Sequence, residues 1–590
     1  MIFIKIRSFF IYFSFIILCT TQSHEAIPEE QQIPGWSAGD MLSYNSSVSL
    51  LRYSPFGLGA YPYRYSLPSA GLKVFVDRIP MRSFSPFGPD LELIPSEIID
   101  SLEFNGCRNL NMVLKNVSEE KPVTTTSFLL GSKHRFNYEM SFLRRLGENA
   151  GILFCGSSSG IHGSNNTEDN SLRTEKNSLR NYILKYQRFL DSGGTLNISA
   201  HAFRDRDGLV DLNSLSHMGE RKTDFLSTSL AVDEYPLGEK TVISPVFYYQ
   251  SGYSRFHRYG FRKSLDDNNA GLNVLLSTRR GNTSYGLNLL HDMRFFNSRI
   301  HDESWKRNET ELTASFAHEY SWYNLKINGG LVHSSEYGDG SKVEGELVLT
   351  FIPKQEFVIR GFITDEFPDI GKEYYTSLIF SDTTIVSDLK KYTISEVEAG
   401  WKINRQRFEF GIFGFGSSSD APLFRVSSSA LNSSVVVLYP FSSEYYMSSR
   451  RESAGYRVCF RKNYEKSYQF KMKLNFSQRI KMPESDSADF RNWPYPSMEF
   501  FSDMRLSRKC INDRLTATIF GDIRIMRWND GNSSPYGNHY FLNCGLSLKV
   551  STLELFYTIE NITNEDIQWF NTLGWLDRNA MWGIRWKFLN

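Results

Sequence analysis

The sequence predicts a mainly β fold: an antiparallel transmembrane β-barrel of about 22 strands with a small N-terminal α/β plug in its lumen. Three observations carry this. From about residue 123 onward, segments of eight to thirteen residues alternate apolar and polar side chains. Turn residues separate the segments at intervals that suit membrane-crossing strands. Aromatic residues make up 15% of the chain, which fits girdles at the two membrane interfaces.

The leader comes first in chain order. Lys5 and Arg7 precede a short apolar run from Phe9 to Leu18, and small and polar residues follow, with Thr21-Gln22-Ser23 as a cleavage site. This is the layout of a secretory signal peptide over 1–23. The run is about half the ~20 apolar residues that a spanning helix needs. A short extension, 24–35, follows.

Residues 36–120 differ from the rest. Trp36 to Leu51 reads as a short helix with Met41, Leu42 and Tyr44 on one side and Ser37 as its cap. A Gly/Tyr/Pro-rich stretch leads to Gly71–Asp77, which reads as a buried strand. Residues 91–104 read as a short helix around 95–99 and then a strand. A compact unit of this size suits the lumen of a barrel too wide to be filled by its own side chains.

The strands occupy 121–590. Phe136, Tyr138, Met140 and Phe142 share one face, as do Leu196, Ile198, Ala200 and Ala202, and Phe470, Met472, Leu474 and Phe476. Phe408, Phe410, Ile412 and Phe415 nearly do, with a shift before the last that suggests a bulge. Period two means strand, with one face in an apolar medium. About 22 segments give roughly 21 residues per strand and connection, as short turns on one side and longer loops on the other require. Hairpin turns are expected at Asp191–Gly194, Arg280–Asn282 and Asn529–Asn532, and external loops at 157–178, 204–219, 300–310 and 480–496. Only a closed barrel satisfies the backbone of strands in lipid. A secreted β-sandwich or propeller array is the alternative, and no blade-length repeat supports it.

Charge and chemistry exclude more than they select. There are 66 basic and 65 acidic residues, which speaks against a nucleic-acid partner. Five cysteines remain after the leader, widely spaced and without a C-x-x-C pair, so neither a disulfide framework nor a metal site is indicated. A 107–155 bridge stays open as an alternative to isolated thiols. Gly156-Ser157-Ser158-Ser159-Gly160 matches G-x-S-x-G, but no helix follows, and a nucleophile elbow needs a strand-to-helix turn. A surface hairpin is expected there instead. Arg204-Asp205-Arg206-Asp207-Gly208 has calcium-loop spacing, but its arginines would repel the ion, so it reads as a solvated loop. No catalytic residue, metal site or cofactor is expected.

The stretch "DMLSYNSSVSLLRYSPFGLGAYPYRYSLPSAGLKVFVDRIPM" resembles the central plug of the TonB-dependent outer-membrane receptors, and "LELIPSEIIDSLEFNG" resembles the plug motif that follows it. "IENITNEDIQWFNTLGWLDRNAMWGIRWKFLN" is similar to that family's last two barrel strands. Arg64, Asp77, Pro80 and Gly106 fall at plug-motif positions, and Trp582, Ile584, Trp586 and Phe588 alternate as in a terminal strand that signals assembly. The resemblance implies an outer-membrane receptor that binds and imports a scarce solute, such as a siderophore, a cobalamin-like molecule or a glycan. It implies outer-membrane lipid, the barrel-assembly machinery and TonB as partners. Tyr61, Tyr63, Arg82 and Phe84 become the ligand-binding candidates, aromatic and Arg groups being suited to a large amphipathic ligand. Packing of the plug on the wall is their other role. Two departures stand out. "HEAIPEEQQIPG" does not look like the box that TonB grips, which leaves a non-importing plugged barrel as the alternative. Arg78 and Tyr65 stand where the family has glycine, so remodelled turns are expected at both places.

Overall fold

A computed structural model of the chain reveals the architecture. The structure describes residues 24–25, 37–43, 48–52, 60–63, 72–83, 89–105, 108–117, 122–132, 135–161, 177–211, 216–258, 261–298, 303–367, 391–405, 408–419, 423–425, 444–446, 451–464, 468–481, 497–512, 514–527, 538–564, 568–569, 573–574 and 578–589. The leader and the Asn529–Asn532 turn lie outside these residues.

From Val123 onward, 22 strands form a closed antiparallel barrel. Each pairs with its neighbours in sequence. The last, Asn579–Leu589, returns to the first, Val123–Gly131, in a register from Met581 opposite Gly131 to Leu589 opposite Val123. Closure leaves no unpaired edge, which a sheet in hydrocarbon cannot tolerate.

Alternation sorts the side chains. On Asn177–Phe189, Tyr182 and Leu184 face outward, while Ile183, Lys185 and Gln187 are buried toward the lumen. On Asn579–Leu589, Trp582, Ile584 and Trp586 face outward, and Gly583 and Arg585 alternate with them inward. An apolar exterior around a polar lumen is the pattern of a barrel in a bilayer. Turns at 191–194 and 281–282 join strands as expected, with Gly193, Gly194 and Gly281 all at positive φ.

Three expectations change. Phe408–Ser419 runs without a bulge: Phe408, Phe410 and Ile412 face outward, and Phe415 joins Phe413 on the lumen face. Gly156–Gly160 is not a hairpin tip but part of the strand Ala150–Ile161. The segments 204–219 and 300–310 are largely strand, within Thr195–Asp211, Ser216–Asp233 and Glu303–Tyr320. Strands that outrun the membrane lose their apolar face, so the alternation that marks them in sequence disappears.

The N-terminal unit carries a five-stranded sheet in the order His24–Glu25, Ile99–Asn105, Asn109–Leu114, Lys73–Val76, Ile79–Pro80. Of the helix expected over 36–51, the described residues show Ala38–Ser43, while Ser49–Arg52 pairs as a strand with Ala60–Tyr63. Ser96–Ile98 forms one 3-10 turn before the strand Ile99–Asn105. Met41, Leu42, Leu91, Ile94, Ile98 and Leu110 build the core, and Leu153, Cys155 and Ile183 of the barrel wall complete it. Cys155 is a free thiol; Cys107 lies outside the described residues.

Candidate functional site: the plug in the lumen

The side chains that meet between plug and wall are mostly charged. The turn after Lys73–Val76 is the most heavily engaged. Asp77 and Arg78 both take left-handed backbone, at φ 45 and 67. This is the two-residue geometry that a hairpin favours, and Asp-Gly is its usual occupant. The turn is a tight two-residue one, and Arg78 bears the cost of left-handed backbone. Contacts offset that cost. The Arg78 N–H donates to Asn111 Oδ1 at 2.9 Å, and its carbonyl accepts from Asn273 at 2.9 Å. Its guanidinium donates to the Ser244 carbonyl at 2.8 Å and pairs with Asp233. Asp77 accepts the Leu114 N–H at 2.8 Å and pairs with Lys185 at 2.9 Å.

These bonds set up a comparison. Arg78→Gly loses the guanidinium contacts but relieves backbone strain of about 1 kcal/mol. Arg78→Ala loses the same contacts and keeps the strain. Hydrogen exchange at the amides of 76–79 is expected to be slowest in the parent, faster in R78G and fastest in R78A.

A second cluster joins Lys73 and Arg108 of the plug to Glu311 and Glu366 of the wall. Lys73 lies 3.0 Å from Glu311 and 3.9 Å from Glu366, Arg108 lies 2.6 Å from Glu366, and Lys342 also pairs with Glu311. Burial by itself would lower the Lys73 pKa, but Glu311 and Glu366 outweigh it and hold it above the ordinary lysine range. Arg108 behaves likewise, with Glu366 overcoming burial. Both cations thus stay charged inside the barrel. Arg108 also lies over the Phe362 ring at 5.2 Å.

Further ties surround the plug. Arg82 is buried and paired with Asp267, which has no exposure at all and sits 3.7 Å from Arg294. Glu97 meets Arg585 of the terminal strand at 2.5 Å. Lys473 and Arg524 donate to the Val48 and Leu50 carbonyls at 2.8 and 2.7 Å. Between the Ile79–Arg82 segment and the wall lies a cavity of about 50 Å³, lined by Ser199, His201, Phe203, Phe225, Ser227 and Gln250 among others. One flank of the plug is therefore apolar and continuous with the wall at Leu153, Cys155 and Ile183; Ile79 packs on Ala231, Val246 and Tyr248 of the wall, and ion pairs and hydrogen bonds make the other contacts described above.

The residues singled out from sequence are distributed as follows. Arg82 is an anchor to the wall. Pro80 gives its carbonyl to Gln250 at 3.0 Å. Tyr61 and Tyr63 lie on the strand Ala60–Tyr63, with their side chains outside the description. Arg64, Phe84 and Gly106 lie outside the described residues. Lys73, Arg108, Glu97 and their wall partners were not singled out. One signal could have found the wall carboxylates: Glu309 and Glu311, Glu344 and Glu346, and Glu396 and Glu398 alternate at i,i+2 inside strands. Pairs of acids on one strand face mark a polar lumen.

A closed barrel of 22 strands with a charged plug in its lumen defines the class: this is the plug-and-barrel fold of the TonB-dependent receptors. Solved structures bear this out across nearly the whole chain. The FrpB iron transporter from Neisseria meningitidis (F3-3 variant) superposes with a TM-score of 0.73 at 11% identity, covering 96% of this chain and 100% of that one. The ferric preacinetobactin receptor BauA from Acinetobacter baumannii gives 0.67 at 11%, covering 94% of each chain. The ferric-catecholate import receptor Fiu from K12 E. coli gives 0.70 at 9%, covering 97% and 98%. No family profile matches the sequence. No curated protein matches it either.

Proposed function

We propose that this chain is an outer-membrane receptor that binds a scarce solute at the cell surface and admits it past a displaceable plug. The observation that carries the reading is a small sheet of its own within the 22-strand barrel, tied to several wall strands by ion pairs. A permanent seal would favour an apolar interface throughout. Ion pairs exchange for water at much lower cost once one partner moves. The apolar flank at Leu153, Cys155 and Ile183, close to where the plug joins the barrel at Val117–Val123, serves as the fixed side about which the rest swings. The neighbours are described as iron, copper and siderophore transporters or receptors. A metal chelate is accordingly the first solute to screen, with cobalamin-like and glycan ligands next. Tyr61, Tyr63, Arg82 and Phe84 remain the residues proposed to meet it, Arg82 from its place beside Asp267 of the wall. Catalysis is not part of this reading.

One observation favours the non-importing alternative. His24–Glu25 pairs with Leu102 and Glu103 at the edge of the plug sheet, so the start of the extension belongs to the plug. Deleting 24–35 separates the two readings. For an energised importer, uptake of radiolabelled ferric chelate falls to background while surface binding is kept. Unchanged uptake in the deletion removes the energised mechanism.

A further inference from the structure

The barrel is closed by its two most distant strands, Val123–Gly131 and Asn579–Leu589. Bonds at this seam join residues up to 448 positions apart. Such contacts form late, because a long loop must close before they are made. The plug and the first wall strands are close in sequence. Leu153, Cys155 and Ile183 share the plug core, and the Val117 N–H donates to Gln187 at 2.6 Å. Plug and early strands can thus be in place before the last strand arrives.

That early half presents two acids toward the seam. Glu97 of the plug and Glu139 of Arg135–Arg145 are both buried. Their carboxylates lie within electrostatic reach of each other and of Arg585, with Lys115 as a further cation. The Cys155 thiol donates to Glu139 at 3.6 Å, a weak bond for a carboxylate. The terminal strand brings Arg585, which lies 2.5 Å from Glu97 and 3.8 Å from Glu554 of Leu553–Glu560. One guanidinium therefore sits among carboxylates from the plug and from strands on both sides of the seam.

Alternation cannot complete the register. A one-residue slip turns Trp582, Ile584 and Trp586 away from lipid, but a two-residue slip leaves every side chain on its own face. It would put Gly583 or Lys587 where Arg585 stands, opposite Ser127. Glycine leaves the acids without a guanidinium, and an uncompensated buried charge is strongly destabilising. Lysine is a point charge without the fork of an arginine. The wall itself adds the non-directional contact of Leu129 with Phe556 and Met581, and at the outer end the bonds of Ser132 to Asn579 and of Arg135 to Glu560.

We propose that the plug is a template for closing its own barrel. Glu97 and Glu139 form an acidic socket that captures Arg585 and fixes the terminal strand in register on the first. The closed ladder supplies stability, and the socket supplies speed and register. The inference rests on the fold and is independent of solute import.

The test folds the full chain from urea into vesicles of dilauroylphosphatidylcholine and follows the heat-shifted band on unboiled gels with time. E97Q and R585Q are each expected to slow its appearance by about fivefold, and R585K by less. E97Q/R585Q should be no slower than R585Q. R108Q, which removes a plug tie to Glu366 on a strand remote from the seam, should close at the parental rate. Register is read by oxidation to a disulfide in a chain whose own cysteines are alanine. T126C/W586C joins residues that are opposite in the parental register, and F128C/W586C joins only after a two-residue slip. The second disulfide is expected in R585Q and absent from the parent. Parental rates in E97Q and R585Q overturn the proposal. So does equal slowing by R108Q, which would mark plug docking in general, and so does a slowed R585Q that never forms the slipped disulfide. If E97Q or R585Q yields no folded band, the charge-reversed E97R/R585E should recover one, and no recovery also overturns the socket.

Discussion

Replacing Asp267 by alanine turns a sealed barrel into a leaking one. Asp267 is wholly buried, pairs with Arg82 of the plug, and lies 3.7 Å from Arg294 of the wall. Removing it leaves two guanidinium groups facing each other without the carboxylate between them. Loss of one partner from a buried pair costs about 3–5 kcal/mol, a large part of the ~5–15 kcal/mol that holds a typical domain together. The barrel has its own closed ladder of strands, so the strain falls on the plug. In planar bilayers D267A is expected to show ion conductance absent from the parent. R82L/D267L, which removes both charges and fills the space with apolar groups, should be nearly silent again. Arg279 and Glu319 provide the control. They lie 3.9 Å apart with side chains 74% and 56% exposed, and pairs so placed contribute little. E319A should stay sealed. Equal leakage in D267A and E319A would show that the buried pair has no part in holding the plug.

The second large effect concerns the strand that closes the barrel. Deleting Gly583 shifts every later residue of Asn579–Leu589 by one. Ile584, Trp586 and Phe588 then turn into the lumen, and Arg585 and Lys587 turn into lipid. A cation on the lipid face costs about 2–4 kcal/mol at mid-depth, and Arg585 also leaves Glu97. The Gly583 deletion should yield no heat-modifiable band in the outer-membrane fraction. Deleting Gly583 and Ile584 together restores the alternation and should recover a folded fraction. A folded band of parental intensity from the single deletion would mean that this strand does not set the register.

Much of this architecture is legible in the sequence because lipid imposes a strict period. Tyr138 and Met140, or Trp582 and Trp586, can be assigned to the exterior without knowing any partner. The lumen offers no such regularity. Lys73 meets Glu311, Arg78 meets Asp233 and Arg82 meets Asp267 across separations of 238, 155 and 185 residues, and no local pattern encodes those pairings. Arg82 is the instructive residue. Its type suited either a ligand contact or packing on the wall, and the structure shows it paired with Asp267 of the wall. Phe415 erred the other way: a period-two count saw a defect where an aromatic had entered the lumen beside Phe413. At Asp77-Arg78 glycine is only the cheapest occupant of left-handed backbone, and tertiary bonds hold an arginine there.

The shared core of plug and wall has a consequence for how the chain can change over time. Leu153, Cys155 and Ile183 belong by topology to the barrel but by contact to the plug. A substitution at any of them is felt as a defect in a neighbouring sheet rather than in its own strand. Moved into another barrel, the plug would lack wall side chains that finish its interior, Leu153, Cys155 and Ile183 among them. On this reasoning plug and barrel change together, and a new plug would need matching changes in the wall.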